Sequence, residues 1–244
     1  MHIDFFEEFP TKQNLQKLRL IRWPCLVYLA APSLKQFLEI EKRAKKINKR
    51  IVYGYWPVLK KCEGYWISQF SQRAALIRII NELKKNKKPL NVLFDYELPF
   101  LAPFLFVSQF FNYRKNKKLI YDFLENAHKY RIKVAIAENR FSLPYNFGDK
   151  RIILAYSSDF KIASARMLAH KIESGKKFRN RLCIGLGCIA PGILKIEPKL
   201  GPKGLERDLH ILKKSKIENV IIFRCGGLNK DYINVIKKYL SWKK

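Results

Sequence analysis

The chain has 244 residues, 48% hydrophobic and 28% charged, enough apolar material for a sizeable core and far from the composition of a disordered or low-complexity chain. Its 49 Lys and Arg against 20 Asp and Glu give a net charge of +29, which argues against basic partners and for anionic ones such as nucleic acid, anionic lipid or phosphorylated compounds. Five cysteines without a CxxC pair and four scattered histidines exclude a disulfide scaffold and a zinc site, so no metal and no cofactor is expected.

In chain order, the first run, Met1 to Glu8, is apolar and acidic, unlike the basic start of a signal peptide, and no later stretch has the length of a membrane span. A cytoplasmic protein is the expectation. That run opens a series of eight strand-like segments: His2–Glu8, Cys25–Ala31, Arg50–Trp56, Leu90–Glu97, Lys133–Glu138, Arg151–Ser157, Leu182–Ile189 and Asn219–Cys225. Between and after them the spacing of apolar residues predicts helices near 11–20, 33–48, 71–86, 103–130, 158–175, 203–215 and 229–242, with Ser33, Ser71, Ser158 and Asn229 at helix N-cap positions. Strands alternating with helices imply parallel pairing through crossovers, and eight such units fit one (β/α)8 TIM barrel over residues 1–244, since such barrels run to about 250 residues. Residues 139–150 hold Pro144, Asn146 and Gly148, so the helix between strands five and six is expected to be short or missing. An open doubly wound sheet is the alternative architecture.

Several stretches carry more than fold. The connection 57–70 is long and aromatic, with Tyr65 and Trp66, and reads as a lid or substrate wall, or as ordinary packing. Leu98 to Phe111 holds Phe100, Phe104, Phe106, Phe110 and Phe111 with almost no polar group, and predicts burial against the barrel or a dimer contact, with a membrane-surface contact as the alternative. Lysine runs such as Lys84-Lys85-Asn86-Lys87-Lys88 and Lys115-Asn116-Lys117-Lys118 read as solvated helix ends, where cations suit the C-terminal dipole, or as a polyanion-binding face. Four of the five cysteines, all but Cys62, sit in or beside strands and read as reduced core residues.

Barrel enzymes build their sites at the C-terminal ends of the strands. There the chain offers Glu7 and Glu8, Tyr55 and Trp56, Asp95 and Glu97, Glu138 and Asn139, Tyr156 and Asp159, and Arg224 with Gly226 and Gly227. Asp95 and Glu97 are two apart in an apolar strand stopped by Pro99, so both would project from one face of the sheet, about 7 Å apart along it. Paired carboxylates suit acid–base chemistry, with Glu138 as a candidate second acid, and the rings of Tyr55, Trp56 and Trp66 suit stacking on a sugar. Structurally, the same acids could pair with Arg224 instead.

The string Phe94-Asp95-Tyr96-Glu97-Leu98-Pro99 resembles the end of the fourth-strand motif D-G-x-D-x-D-x-E of chitinase-like glycoside hydrolases of family 18. The resemblance implies a TIM-barrel glycosidase in which Glu97 is the proton donor, Asp95 orients a 2-acetamido group, and Tyr156 with Asp159 assists. Leu90, Asn91 and Leu93 stand where that motif has its earlier acids and glycine, so the likeness is confined to its terminal D-x-E.

Two other functions stay open. Cys225-Gly226-Gly227-Leu228 before a helix N-terminus would let backbone N–H groups hold the phosphate of an ester or sugar phosphate, beside Arg224. A non-catalytic basic barrel bound to a polyanion or membrane surface is the other. The expected partner is a carbohydrate or other small molecule, with the oligomeric state open.

Overall fold

In the computed structural model, residues 1–138, 143, 144, 146–157, 164–195 and 197–241 are described. Eight parallel strands, β1 (His2–Glu7), β2 (Leu26–Ala31), β3 (Val52–Pro57), β4 (Leu90–Asp95), β5 (Ile132–Glu138), β6 (Lys150–Leu154), β7 (Leu182–Leu186) and β8 (Asn219–Phe223), close into a barrel in chain order. Closure is made by β1 against β8, in a register running from His2 opposite Asn219 to Phe6 opposite Phe223. The strands are apolar on both faces because the helices cover the outside while side chains fill the inside.

The helices are α1 (Lys12–Gln16), α2 (Leu34–Ile47), α3 (Arg73–Lys85), α4 (Leu105–Ser108), α5 (Tyr113–Asn126), α6 (Ser164–Gly175), α7 (Pro202–Lys214) and α8 (Lys230–Lys237). In α3 the buried residues Ala75, Leu76, Ile79, Ile80 and Leu83 form one stripe at helical spacing. Asn229 caps α8 as expected, its side chain accepting from the N–H groups of Asp231 and Tyr232, and the Ser33 hydroxyl accepts from Gln36 N.

Ser71 does not cap α3. Its hydroxyl donates to the Trp66 carbonyl at 2.8 Å and accepts from Ser68 N at 2.9 Å, so the tight turn wins over the helix end. The helix expected over 103–130 is broken into α4 and α5 at Gln109, whose backbone leaves the helical region (φ −101°, ψ 8°) while its carboxamide accepts from Arg73 N at 3.3 Å and from Asn112 Nδ2 at 3.2 Å. No helix appears among the described residues between β5 and β6. Ser158 lies outside the described residues.

Contacts group the chain into two compact units, one of Met1–Leu29, Ile40–Tyr53 and Arg151–Lys244, the other of Ala30–Glu39 and Gly54–Lys150. Each holds its own polar cluster at strand ends. Cys25, Cys183, Cys188 and Cys225 are buried free thiols and Cys62 is exposed.

Candidate functional site

In the second unit, side-chain direction follows from what lies outside the sheet. Phe94 stacks on Phe123 of α5, with ring centroids 5.4 Å apart, so Phe94 faces the helices and its neighbours Leu93 and Asp95 face the lumen. Asp95 is buried and opposes Ala137 of β5. The strand ends at Asp95, two residues short of the sequence expectation, although one more rung follows, Tyr96 N donating to the Ala137 carbonyl at 2.8 Å. Tyr96 is buried, with its hydroxyl bonded to Gln69, and burial pushes that phenol up. Glu97 follows as a half-buried side chain.

Trp56 is on the lumen side as well. Tyr53 donates to the carbonyls of Ala44 and Asn48 next to α2, and Tyr55 packs against Phe37 of α2 at 5.2 Å, so the odd positions of β3 point outward and Trp56 inward. This corrects the expectation for Tyr55, which lies in the helical layer near Glu82 and Arg78 of α3 rather than in a substrate pocket. Glu138 is displaced in the same way. Ala137 opposes Asp95, so strand alternation turns Glu138, fully buried, to the opposite face, and it sits close enough to Tyr96 to oppose ionisation of that phenol.

The aromatic connection 57–70 is a braced structure. Glu63 accepts from Arg78 Nη1 and Nη2 at 3.0 Å each and from the Lys60 N–H at 3.0 Å, and the Arg78 guanidinium holds its carboxyl below the usual carboxylate range. Asn116, completely buried on α5, donates to the carbonyls of Gln69 and Ser71 at 3.0 Å each. Ile67 N donates to the Asp95 carbonyl at 3.0 Å, which brings Trp66, edge-on to Tyr65, alongside the end of β4. Among these brace residues only Glu63 and Arg78 carry a charge signal in the sequence. Asn116, inside a lysine run, gives no sign of its burial there.

In the first unit, the Gly226-Gly227 turn is not an open anion cradle. The Glu7 carboxylate fills it, accepting from Gly226 N at 2.5 Å, Phe9 N at 2.9 Å, Arg224 Nη1 at 3.1 Å, Asn14 Nδ2 at 3.2 Å and Cys225 Sγ at 3.3 Å. Burial pushes the Glu7 carboxyl up, opposed by the Arg224 guanidinium and the backbone donors. Gly227 N and Leu228 N are spent on the Arg224 and Cys225 carbonyls. The phosphate-binding expectation for Gly226, Gly227 and Arg224 is thereby corrected, because the chain supplies the anion itself. Arg224 is held besides by the Pro191 carbonyl at 2.9 Å and the Phe9 ring.

Glu8 is different. Glu7 meets Asn14 of α1 on the helical side, so Phe6 and Glu8 face the lumen, where Phe6 packs against Tyr28 and Phe223, and Phe223 packs against Tyr156 at 5.8 Å. Tyr156 lies flat against Gly187, where a Cβ would come within 2.7 Å of the ring. The next residue, Ser157, donates its hydroxyl to the buried Asp208 of α7. A Cβ on Gly192 would stand 2.9 Å from both Glu8 Oε2 and Glu197 Oε1, so these two carboxylates converge on the bare backbone of the β7–α7 connection. Sequence reasoning missed Glu197, whose only signal is an acid among Pro191, Gly192, Pro198 and Gly201 after a strand end. Asn139 and Asp159 lie outside the described residues.

No protein-family model and no curated protein matches the chain. Among solved structures it is similar to the glycoside hydrolase domain of PgaB (BpsB) from Bordetella bronchiseptica, with TM-score 0.62 and 11% identity over 100% of this chain and 99% of that one. It is also similar to the spore cortex-lytic enzyme SleL of Bacillus megaterium QM B1551, with TM-score 0.57 and 12% identity over 98% of this chain and 74% of that one. At these identities the likeness is one of fold, and that fold is a (β/α)8 barrel shared with a glycoside hydrolase domain and a cortex-lytic enzyme.

Proposed function

We propose that the protein is a glycoside hydrolase-like enzyme that acts on a carbohydrate, with Glu97 as proton donor and Asp95 as its partner. The observation that carries this reading is the turn of side chains at the end of β4: Asp95 on the lumen face, Tyr96 outward, Glu97 next and half-buried. A half-buried carboxyl can protonate a leaving oxygen while a buried neighbour steadies charge at the anomeric carbon. Trp56 on the lumen side and Trp66 beside the end of β4, both largely buried, are the rings of this unit on which a sugar would stack. Hydrolysis of chromogenic 2-acetamido glycosides, compared between the wild type and Glu97→Gln, tests it. A fall in kcat of about a hundredfold or more with unchanged thermal unfolding is expected. An unchanged rate removes Glu97 from the mechanism.

A second reading rests on the meeting of Glu8 and Glu197 at Gly192, beneath which the rings of Phe6, Tyr28, Phe223 and Tyr156 line the lumen. Two carboxyls that face one gap suit the acid-and-carboxylate pair of a glycosidase, the distance between them setting the stereochemistry. In the same assay, Glu8→Gln instead of Glu97→Gln would then abolish turnover.

A further inference from the structure

The stretch that joins β4 to α5 has its apolar side turned outward. Ala102 and Leu105 are buried beneath it, and Phe106 packs edge-on against Phe70 at 4.9 Å, with Phe70 in turn against Tyr113 at 5.1 Å. With those anchors fixed, the opposite side presents Phe100, Phe104, Val107, Phe110 and Phe111, exposed by 63%, 56%, 79%, 67% and 89%. Five of the nine large apolar side chains exposed among the described residues thus fall within twelve positions, which rules out the random scatter expected on a soluble surface. At about 200 Å² per ring the patch amounts to roughly 600 Å², at the upper end of what monomers expose. The expectation that this stretch buries against the barrel is therefore corrected.

The charges beside it do not serve the helix they sit on. Arg114, Lys115 and Lys118 are exposed in the first two turns of α5, and that helix has no acid in its first turn and no side-chain cap. Cations there oppose the helix dipole, so the lysine run read as a favourable helix end stands at the unfavourable one. An arrangement that weakens the local helix and leaves phenyl rings in water calls for an anionic, apolar-cored partner. A second copy of the chain would bring another +29 charge to the contact. An anionic bilayer meets both features, rings entering the headgroup boundary and cations facing phosphate. No helix among the described residues is long and apolar enough to cross a membrane, so the contact is interfacial.

We infer that the β4–α5 connection is a membrane-surface docking element for anionic lipid, with Phe104, Phe110 and Phe111 as the inserting side chains and Arg114, Lys115 and Lys118 as headgroup contacts. Flotation with vesicles of phosphatidylcholine alone, and of phosphatidylcholine mixed with phosphatidylglycerol, tests it. The full chain should float only with the mixed vesicles. A Phe104→Ser, Phe110→Ser, Phe111→Ser variant should lose roughly a hundredfold in vesicle affinity, and Lys115→Glu with Lys118→Glu about thirtyfold or more, both with wild-type thermal unfolding. Tryptophan emission of Phe111→Trp should shift to the blue on adding the mixed vesicles. The inference is overturned if the triple serine variant binds as the wild type does, since adsorption is then by net charge alone. It is equally overturned if no vesicle binds, if Phe111→Trp emission stays fixed, or if sedimentation shows a dimer that the serine variant loses.

Discussion

Replacing Glu7 by alanine removes the acceptor of five donors at once: two backbone N–H groups, an amide, a thiol and a guanidinium. The Arg224 side chain is only 12% exposed and Glu7 not at all, so the variant leaves a cation in a nearly dry pocket with its counter-ion gone. Breaking a buried pair in this way costs about 3–5 kcal/mol, and part of that is offset here because Arg224 keeps the Pro191 carbonyl and the Phe9 ring. For a chain of this length about 3 kcal/mol corresponds to a fall in Tm of roughly 6–12 °C, readable by thermal unfolding followed by circular dichroism. The emptied cradle should then take a small carboxylate from solution. Acetate at ten times its dissociation constant would return about 1.4 kcal/mol to Glu7→Ala and nothing to the wild type. Glu7→Gln should fall between the two proteins, since its amide can accept from Gly226 N but presents its own N–H groups to Arg224 or Asn14. A Glu7→Ala protein that unfolds with the wild type and ignores acetate would refute the view that this carboxylate is a structural anion. Activity lost at unchanged Tm would place Glu7 in the chemistry.

Two further outcomes follow from burial. The Tyr55 hydroxyl is buried and has no hydrogen-bond partner among the described residues, so Tyr55→Phe should leave glycoside turnover unchanged and raise stability by about 1 kcal/mol; loss of turnover would return Tyr55 to the site. Glu63 has a folded pKa below its ordinary value, chiefly through the Arg78 hydrogen bonds, so its contribution is present above that ordinary value and is lost as pH falls through the folded one. Glu63→Gln should cost about 1 kcal/mol at neutral pH, discounted for the partly exposed Arg78, and the two proteins should converge in acid; a gap that persists in acid would contradict the pairing.

How legible all this was in the sequence depends on the range of the forces involved. Strand existence follows from local composition: runs such as Asn219–Phe223 and Ile132–Glu138 are apolar on both faces, and only a sheet covered on both sides accommodates that. The break between β5 and β6 and the Asn229 cap are likewise local, written in Pro144, Asn146, Gly148 and the helix that follows Asn229. The candidate acids could be listed from strand ends, yet not sorted. Tyr55 and Trp56 are neighbours of similar composition, and only the position of Phe37 and of the α2 carbonyls decides that one faces the helices and the other the lumen.

The sequence by itself determined the series of eight strands with the break after the fifth, the excess of positive charge and the D-x-E at the end of β4, because each is a property of neighbouring residues and of composition. The tertiary structure alone decided that Glu7 occupies the glycine turn 219 positions later, that Glu197 meets Glu8, and that the phenylalanines of 100–111 stay in water. Those outcomes depend on which side chains converge when the barrel closes. Sequence spacing carries no information about groups brought together from opposite ends of the chain.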